Sequence, residues 1–285
     1  KYLEHLHDLY QAFEPHISSF MMLHFDYIHV KLSFSSCKEK LLMGSEEGQT
    51  FCTIAEWVGR AHCDKCHIRQ LMLFSELPDT AFHNLLHPID HFIYPPGSVL
   101  YEAGSHKAFI YSIRRGIVKL KHIAEDGSSR IVRLLGNGAA IGLELLDGAK
   151  SYHHTAVALT PVDLCKIPVS TVRQLESDHP RLSIHVGQQL QNQLNIADQW
   201  IVALSTGAAR QRVAQLVLLL ERFFSEDNGA FILINREDMA AMTGIAIETV
   251  SRVIAEFKRQ KILYRFKDNY YMCNVAALQK ICSNS

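Results

Sequence analysis

The spacing of apolar positions changes character twice along the chain. From Phe92 to Pro168, short runs rich in β-branched and aromatic residues (HFIYP, SVLYEA, FIYSIR, IVKLKHI, RIVRLL, TAVAL, DLCKIP) are separated by glycine-bearing turns. The turn signals are Pro96-Gly97, Gly104, Arg115-Gly116, Glu125-Asp126-Gly127, Gly136-Asn137-Gly138 and Asp147-Gly148. Asp126-Gly127 between two alternating runs predicts a hairpin. No helical pattern intervenes, so about eight strands at this spacing predict an antiparallel barrel or jelly roll rather than an α/β sheet.

From Ser170 the period becomes helical. Leu182, Val186, Leu190, Leu194, Ala197, Ile201 and Leu204 recur at steps of three or four, with mostly Gln and Asn between them. A long helix with a narrow apolar seam and few charges needs a partner, and a parallel copy of itself would serve. The competing reading packs this helix on its own domain. Ile184, Ile196 and Trp200 lie off the seam and are expected to face the roll. Ser205-Thr206-Gly207 then marks a hinge.

The last quarter carries the most specific pattern. Ala208 to Phe224 reads as a helix, Asp227-Asn228-Gly229 as a turn and FILIN as a short strand. In NREDMAAMTGIAIETVSR, Asn235 is an N-cap and Asp238 supplies the carboxylate of a capping box. Gly244 sits where a tight inter-helix turn excludes a side chain. A second helix over 247–260 buries Val250, Val253, Ile254 and Phe257 and leaves Glu248, Ser251, Arg252 and Arg259 outward. A carboxylate in the first turn can accept from cytosine N4, and an arginine can donate twice to guanine O6 and N7. Glu248, Thr249, Ser251, Arg252 and Arg259 are therefore the candidate DNA contacts, with Lys258 and Lys261 suited to phosphates. The plain alternative for Glu248 and Arg252 is a surface ion pair at i,i+4. YRFKDNYYMCN, turning near Lys267-Asp268-Asn269, would add a wing.

Composition narrows the class without changing this picture. The 285 residues are 48% hydrophobic and 20% charged with formal net charge zero, an ordinary globular balance with room for more than one core. Zero net charge excludes a polybasic binder but not a local DNA-binding face. No apolar run reaches the roughly 18 residues of a membrane span, and KYLEHLHDLYQAF lacks the marks of a secretory signal, so a cytoplasmic protein is expected. Seven cysteines, an odd count, argue against a disulfide framework. Within 1–60, Leu3, Leu6, Leu9, Tyr10 and Phe13 have helical spacing and YIHVKLSF alternates like a strand. Nothing resembles a serine–histidine–acid set, a Walker loop or a paired-carboxylate site, so no enzyme is expected.

With these motifs in hand, the chain resembles the family of the cyclic-AMP receptor protein and the fumarate–nitrate reduction regulator (Crp/Fnr). The likeness runs from about Cys63 to Ala277, most specifically over TGIAIETVSRVIAEFKRQKIL and YPPGSVLYEAG…IYSIRRGIVKL. It implies an α+β protein: an N-terminal extension (1–60), a β-roll sensor (61–172), a long dimerisation helix and hinge (173–206) and a winged helix-turn-helix (207–285). It implies a homodimeric transcription regulator that binds palindromic double-stranded DNA and contacts RNA polymerase. Leu182, Val186, Leu190, Leu194 and Ile201 would form the dimer seam. Glu248, Ser251 and Arg252 match the Glu-x-x-Ser-Arg of the fumarate–nitrate branch. Ile247 stands where the cyclic-AMP branch has arginine, which favours a TTGAT-like over a TGTGA-like half-site. The usual serine or threonine at the start of this helix is Ala246.

The resemblance leaves the signal open. The effector-pocket positions are Gly142, Glu144, His153 and His154, but Glu144 is displaced by one and no arginine lies between Gly142 and Thr160. A cyclic phosphodiester would find little there to neutralise it. The resemblance also places Cys63, Cys66 and Cys165 on three of the four ligand positions of an iron–sulfur cluster, with Met72 on the fourth. Cys52, His62 or His67 would then have to complete the set, since a thioether brings no charge to iron. A thiol switch, cysteines without function, and haem on His91, His106, His153 or His154 are the other readings. The alternative function is a cyclic-nucleotide or small-ligand sensor with a degenerate DNA-binding domain.

Overall fold

The computed structural model describes residues 55–66, 68–106, 108–124 and 129–283. The helix and strand expected within 1–60, the Asp126-Gly127 turn, Cys52 and His67 lie outside the described residues.

Two antiparallel sheets build the N-terminal roll. One has the order β1 (Glu56–Arg60), β2 (Asp90–Tyr94), β9 (Val162–Pro168), β4 (Phe109–Arg115), β7 (Ala140–Ile141). The other has β3 (Val99–Tyr101), β8 (Thr155–Ala158), β5 (Val118–Ile123), β6 (Ser129–Leu135). Alternation in the sequence becomes facing in the structure: Val118 and Leu120 point into the core while Lys119 and Lys121 point away from it. The β5–β6 pairing continues out to Ile123 opposite Ser129, as the hairpin signal predicts. Gly116 enters β5 at φ +99°, and a methyl group there would lie 2.3 Å from the Pro161 carbonyl oxygen, so only glycine fits.

The helical pattern after Pro168 divides at His179-Pro180 into α1 (Val169–Asp178) and α2 (Arg181–Ser205). Proline cannot donate to the preceding turn but is tolerated where a helix starts. The expected dimer seam needs correction here. Leu182 and Val186 are buried in the protomer's own roll core, Leu190 packs partly against it, and Leu204 joins a second core. The roll itself offers the apolar surface that the spacing demanded. Ile184, expected to face the roll, points outward at 65% exposure, and Leu194, Ile201 and Val202 are also exposed. Trp200 and Ile196 do face inward, with the Trp200 ring 6.1 Å from that of Phe223.

Beyond the hinge come α3 (Ala209–Phe224), β10 (Phe231–Ile232), α4 (Arg236–Thr243), α5 (Ile247–Arg259), β11 (Leu263–Lys267), β12 (Tyr270–Cys273) and α6 (Val275–Ser283). The three strands form a sheet in the order β10-β12-β11. The terminal helix α6, which no sequence motif announced, buries Leu278 and Ile281 in the same core as α3.

The winged helix is not a separate bead on a linker. Ile117, Ile131 and Leu134 of the roll share one core with Trp200 and Leu204 of α2, Val213, Leu216 and Leu220 of α3, and Met239 of α4. Across this junction Lys119 Nζ of β5 donates to Asp238 Oδ1 of α4 at 2.6 Å, with side-chain exposures of 14% and 9%. Removing one member of a pair this buried strands the other charge. Asp238→Ala and Lys119→Met should each lower stability by about 3 kcal/mol. The double variant should lose clearly less than the sum in thermal unfolding. Strict additivity would show that the pair contributes nothing across the junction.

Candidate nucleic-acid interface and sensor core

Local capping sets the orientation of α4. Asn235 Oδ1 accepts from the Asp238 backbone N–H at 2.7 Å, and Asn235 Nδ2 donates to Asp238 Oδ2 at 3.0 Å. The helix closes at Gly244, φ +64°, whose N–H returns to the Ala240 carbonyl at 2.9 Å. A chain turning this tightly sends α5 across α4. The apolar face of α5 (Val250, Val253, Ile254, Phe257) is buried in the shared core. Two further bonds brace the pair from α3. Arg210 Nε reaches Glu256 Oε1 at 3.1 Å, and Arg212 Nη1 donates to the Thr243 carbonyl at 2.8 Å.

The outer face of α5 carries the residues singled out in the sequence. Glu248, Arg252 and Arg259 are exposed, while Thr249 and Ser251 are half-buried beside them. Ala246 starts the helix without a side-chain cap. Glu248 lies in the first turn, beside the positive end of the helix dipole. Of the cations assigned to phosphates, Lys261 is exposed, but Lys258 donates to Tyr271 Oη at 2.9 Å and sits over its ring. The wing tip is tied to the start of the motif by the Leu233 N–H to Asn269 carbonyl bond at 3.3 Å. Tyr264 and Phe266 stand exposed on β11.

Two family models match the chain over these elements. A cyclic nucleotide-binding domain matches residues 92–179, and a Crp-like helix-turn-helix domain matches residues 211–281. The chain belongs to the Crp/Fnr family. The fumarate and nitrate reduction regulatory protein of Salmonella typhi is 28% identical over 213 residues, 71% of this chain and 82% of the relative. Its counterpart in Vibrio cholerae is 26% identical over 211 residues, with the same coverage. Among solved structures, FixK2 from Bradyrhizobium japonicum aligns with a TM-score of 0.61 at 21% identity, over 69% of this chain and 98% of its own. A CRP-family transcriptional regulator from Thermus thermophilus aligns with a TM-score of 0.58 at 22% identity, over 68% and 97%. Membership makes this chain a DNA-binding regulator rather than an enzyme. Among the described residues no helix is long and apolar enough to cross a membrane.

The effector pocket expected around Gly142 is taken up by side chains of the chain itself. Tyr101 stacks on Tyr152 with centroids 3.8 Å apart and on Tyr111 at 5.6 Å, and all three are buried. Tyr152 Oη donates to the Phe109 carbonyl at 2.6 Å. Burial pushes the Tyr152 phenol up to about 12, so it stays a neutral donor. Gly142, at φ +81°, lies beneath this ring, and a methyl group there would come within 3.0 Å of Tyr152 Cε1. Glu144 is engaged by the His153 N–H at 3.2 Å, and burial lowers the pKa of His154. Gly142 thus lies beneath the Tyr152 ring, Glu144 and His154 are half-buried, and His153 is exposed. The histidines considered for haem are engaged as well: His91 Nε2 lies 2.6 Å from Asp163 Oδ1, and His106 Nδ1 is 2.9 Å from the Lys150 carbonyl.

The three thiols do converge. Cys63 opens a single 3-10 turn (Cys63–Lys65), and the Cys66 N–H closes on the Cys63 carbonyl. Cys165 is buried on β9, opposite His91 of β2 and Ser112 of β4. Arg114, which no sequence motif singled out, holds them together. Its Nη1 lies 3.5 Å from Cys66 Sγ, its charge acts on Cys165, and its Nε pairs with Asp163 Oδ1 at 3.1 Å. Two of the residues offered to complete a cluster, Cys52 and His67, lie outside the described residues, and His62 is exposed. Met72, on the fourth position, is buried in the roll core, and the Arg114 guanidinium faces the thiols. Among the described residues no group of three or more His, Cys, Asp or Glu is arranged to hold a metal ion.

Burial is the main cause that pushes Cys63 up to about 12 and Cys165 up to about 11, the latter against the pull of Arg114. A thiol about two units above its usual value loses about 100-fold in thiolate and regains roughly tenfold in nucleophilicity. Iodoacetamide at pH 7.5 should therefore modify Cys165 about tenfold more slowly in the native protein than in urea. Equal rates in mass-spectrometric mapping would contradict this burial.

Proposed function

We propose that this regulator acts as a homodimer on a palindrome with TTGAT-like half-sites and answers to oxygen or redox state through its cysteine-bearing turn. The observation that carries the DNA part is the outer face of α5. Glu248 and Arg252 stand exposed one turn apart, on a helix whose other face is locked into the core. Neither forms an ion pair with a described residue, so both are free to meet base edges. Ile247 in front of Glu248 supports the TTGAT-like choice. The outward stripe of α2, Ile184, Leu194, Ile201 and Val202, is the surface along which two copies pair. Dimerisation sets two copies of α5 one helical turn of DNA apart. Bound regulator then meets RNA polymerase through exposed loops.

The redox part is supported by Arg114, which links two of the thiols to β4 and β9, and by the connections from the roll to α2. β4 pairs with β7, whose Ala140 carbonyl accepts from Gln193 Nε2 of α2 at 2.8 Å. Ser75 Oγ contacts His185 Nε2 of the same helix at 3.3 Å. A rearrangement of the thiol-bearing turn thus has a direct route to the pairing helix.

In a mobility-shift assay, Glu248→Ala and Arg252→Ala should each weaken binding to a TTGAT palindrome by about 5- to 150-fold, equivalent to about 1–3 kcal/mol. Binding to scrambled duplex should change little. Wild type that binds both duplexes equally would refute the base-reading role. For the signal, protein purified without air should lose operator affinity on exposure to air, and Cys66→Ser in the turn should abolish the difference. Equal affinity in both conditions, from colourless iron-free protein, would end the redox reading.

A further inference from the structure

One cation beside the helix-turn-helix comes from the sensor. Arg130 opens the buried part of β6 and is exposed, yet its guanidinium lies over the turn between α4 and α5. A methyl group built on Gly244 would sit 2.8 Å from Arg130 Nη1 and 3.1 Å from Nη2. Arg130 forms no ion pair with a described residue. Its placement is not accidental flexibility. The next residue, Ile131, is buried in the shared core, and Lys119 on the paired strand is clamped to Asp238.

The turn beneath it is short of a polar side chain. Ala246 caps α5 without a hydrogen-bond acceptor, so the first-turn N–H groups of α5 have no side-chain partner there. Free N–H donors, the positive end of a helix and an unpaired guanidinium meeting at one turn form an arrangement for an anion. When α5 lies in the major groove, the anion passing its N-terminus is the sugar–phosphate backbone.

We propose that Arg130 is a DNA-backbone contact contributed by the sensor domain, binding a phosphate at the Gly244–Ala246 turn. The sensor then takes part in DNA binding directly, beyond setting the spacing of the recognition helices. Any signal that shifts β6 against α4 changes the number of phosphates neutralised. The proposal rests on α5 being the DNA-reading helix.

The test uses the full chain with two duplexes, a TTGAT palindrome and a scrambled sequence, titrated between 50 and 200 mM salt. Arg130→Ala should weaken binding to both duplexes by a similar factor. It should also lower the slope of log affinity against log salt by about 1 per bound protomer. Its deficit relative to wild type should accordingly shrink about threefold per protomer across that salt range. Arg130→Lys, which keeps the charge, should restore the slope. Arg130 is exposed, so loss of folding does not confound the result, and a melting curve on each variant verifies this. Unchanged affinity and slope in Arg130→Ala overturn the proposal, as does tighter binding, which would make the contact inhibitory. Arg252→Ala separates the two readings. If it loses palindrome preference while Arg130→Ala matches wild type, only the sensor contact falls. If wild type shows no palindrome preference at all, both fall.

Discussion

The Lys119–Asp238 pair fixes the relation between the two halves of this regulator. Asp238 is both the partner of Lys119 and the residue whose backbone and carboxylate engage the Asn235 cap. One carboxylate therefore starts α4 and pins it to β5. Besides this clamp and the shared apolar core, the winged helix is joined to α2 through Thr206 and Gly207, the latter at φ +85°. The apolar junction of Ile117, Ile131 and Leu134 against α3 and α4 supplies area but no register. The short charge-assisted hydrogen bond within the pair adds direction, because its distance and angle are narrowly defined.

On the sensor side, space rather than charge decides what the roll can do. Three tyrosines stack near Gly142, and the hydroxyls of Tyr152 and Tyr111 are directed to the Phe109 and Leu100 carbonyls. A ligand entering there would have to displace aromatic rings and orphan those hydrogen bonds, an unfavourable exchange. The thiol-bearing turn is different. Its groups are only partly buried, and Arg114 ties it to β4 and β9 through Asp163. In a fold matched by a cyclic nucleotide-binding model, this polar chemistry sits on the two inner strands β4 and β9.

The sequence was most legible where local rules suffice. Alternating Val, Ile and Tyr between glycine turns marked the strands, because a half-buried sheet face requires that period. Asn235, Asp238 and Gly244 marked the ends of α4 because capping is a matter between near neighbours. Legibility failed where the partner is remote in the chain. The spacing of Leu182, Val186 and Leu190 reports that one face of α2 is apolar, but not whether roll or second copy covers it. Lys119 and Asp238, like Arg114 and Cys66, meet only after folding, so no window of sequence joins them. Tyr101, Tyr111 and Tyr152 each read as ordinary strand or turn residues. Only their convergence reveals that the expected pocket is occupied.

The division of α2 between inside and outside bears on how sensitive such a regulator can be. Its strongest apolar positions are consumed within the protomer, and the outward stripe retains Ile184, Leu194, Ile201 and Val202 with polar Gln188, Gln191 and Asn195 between them. A proposed pairing along such a stripe rests on fewer buried methylenes than an uninterrupted heptad seam, and a polar residue in a seam costs stability while fixing register. Marginal pairing is an advantage in a switch. A shift transmitted from the roll through Gln193 or His185 then needs to supply only a few kcal/mol to move the population between paired and unpaired states. A helix with all its leucines turned outward would pair regardless of the signal. On the proposed pairing, burying Leu182 and Val186 in the roll core leaves a weaker outward surface and couples it to that core.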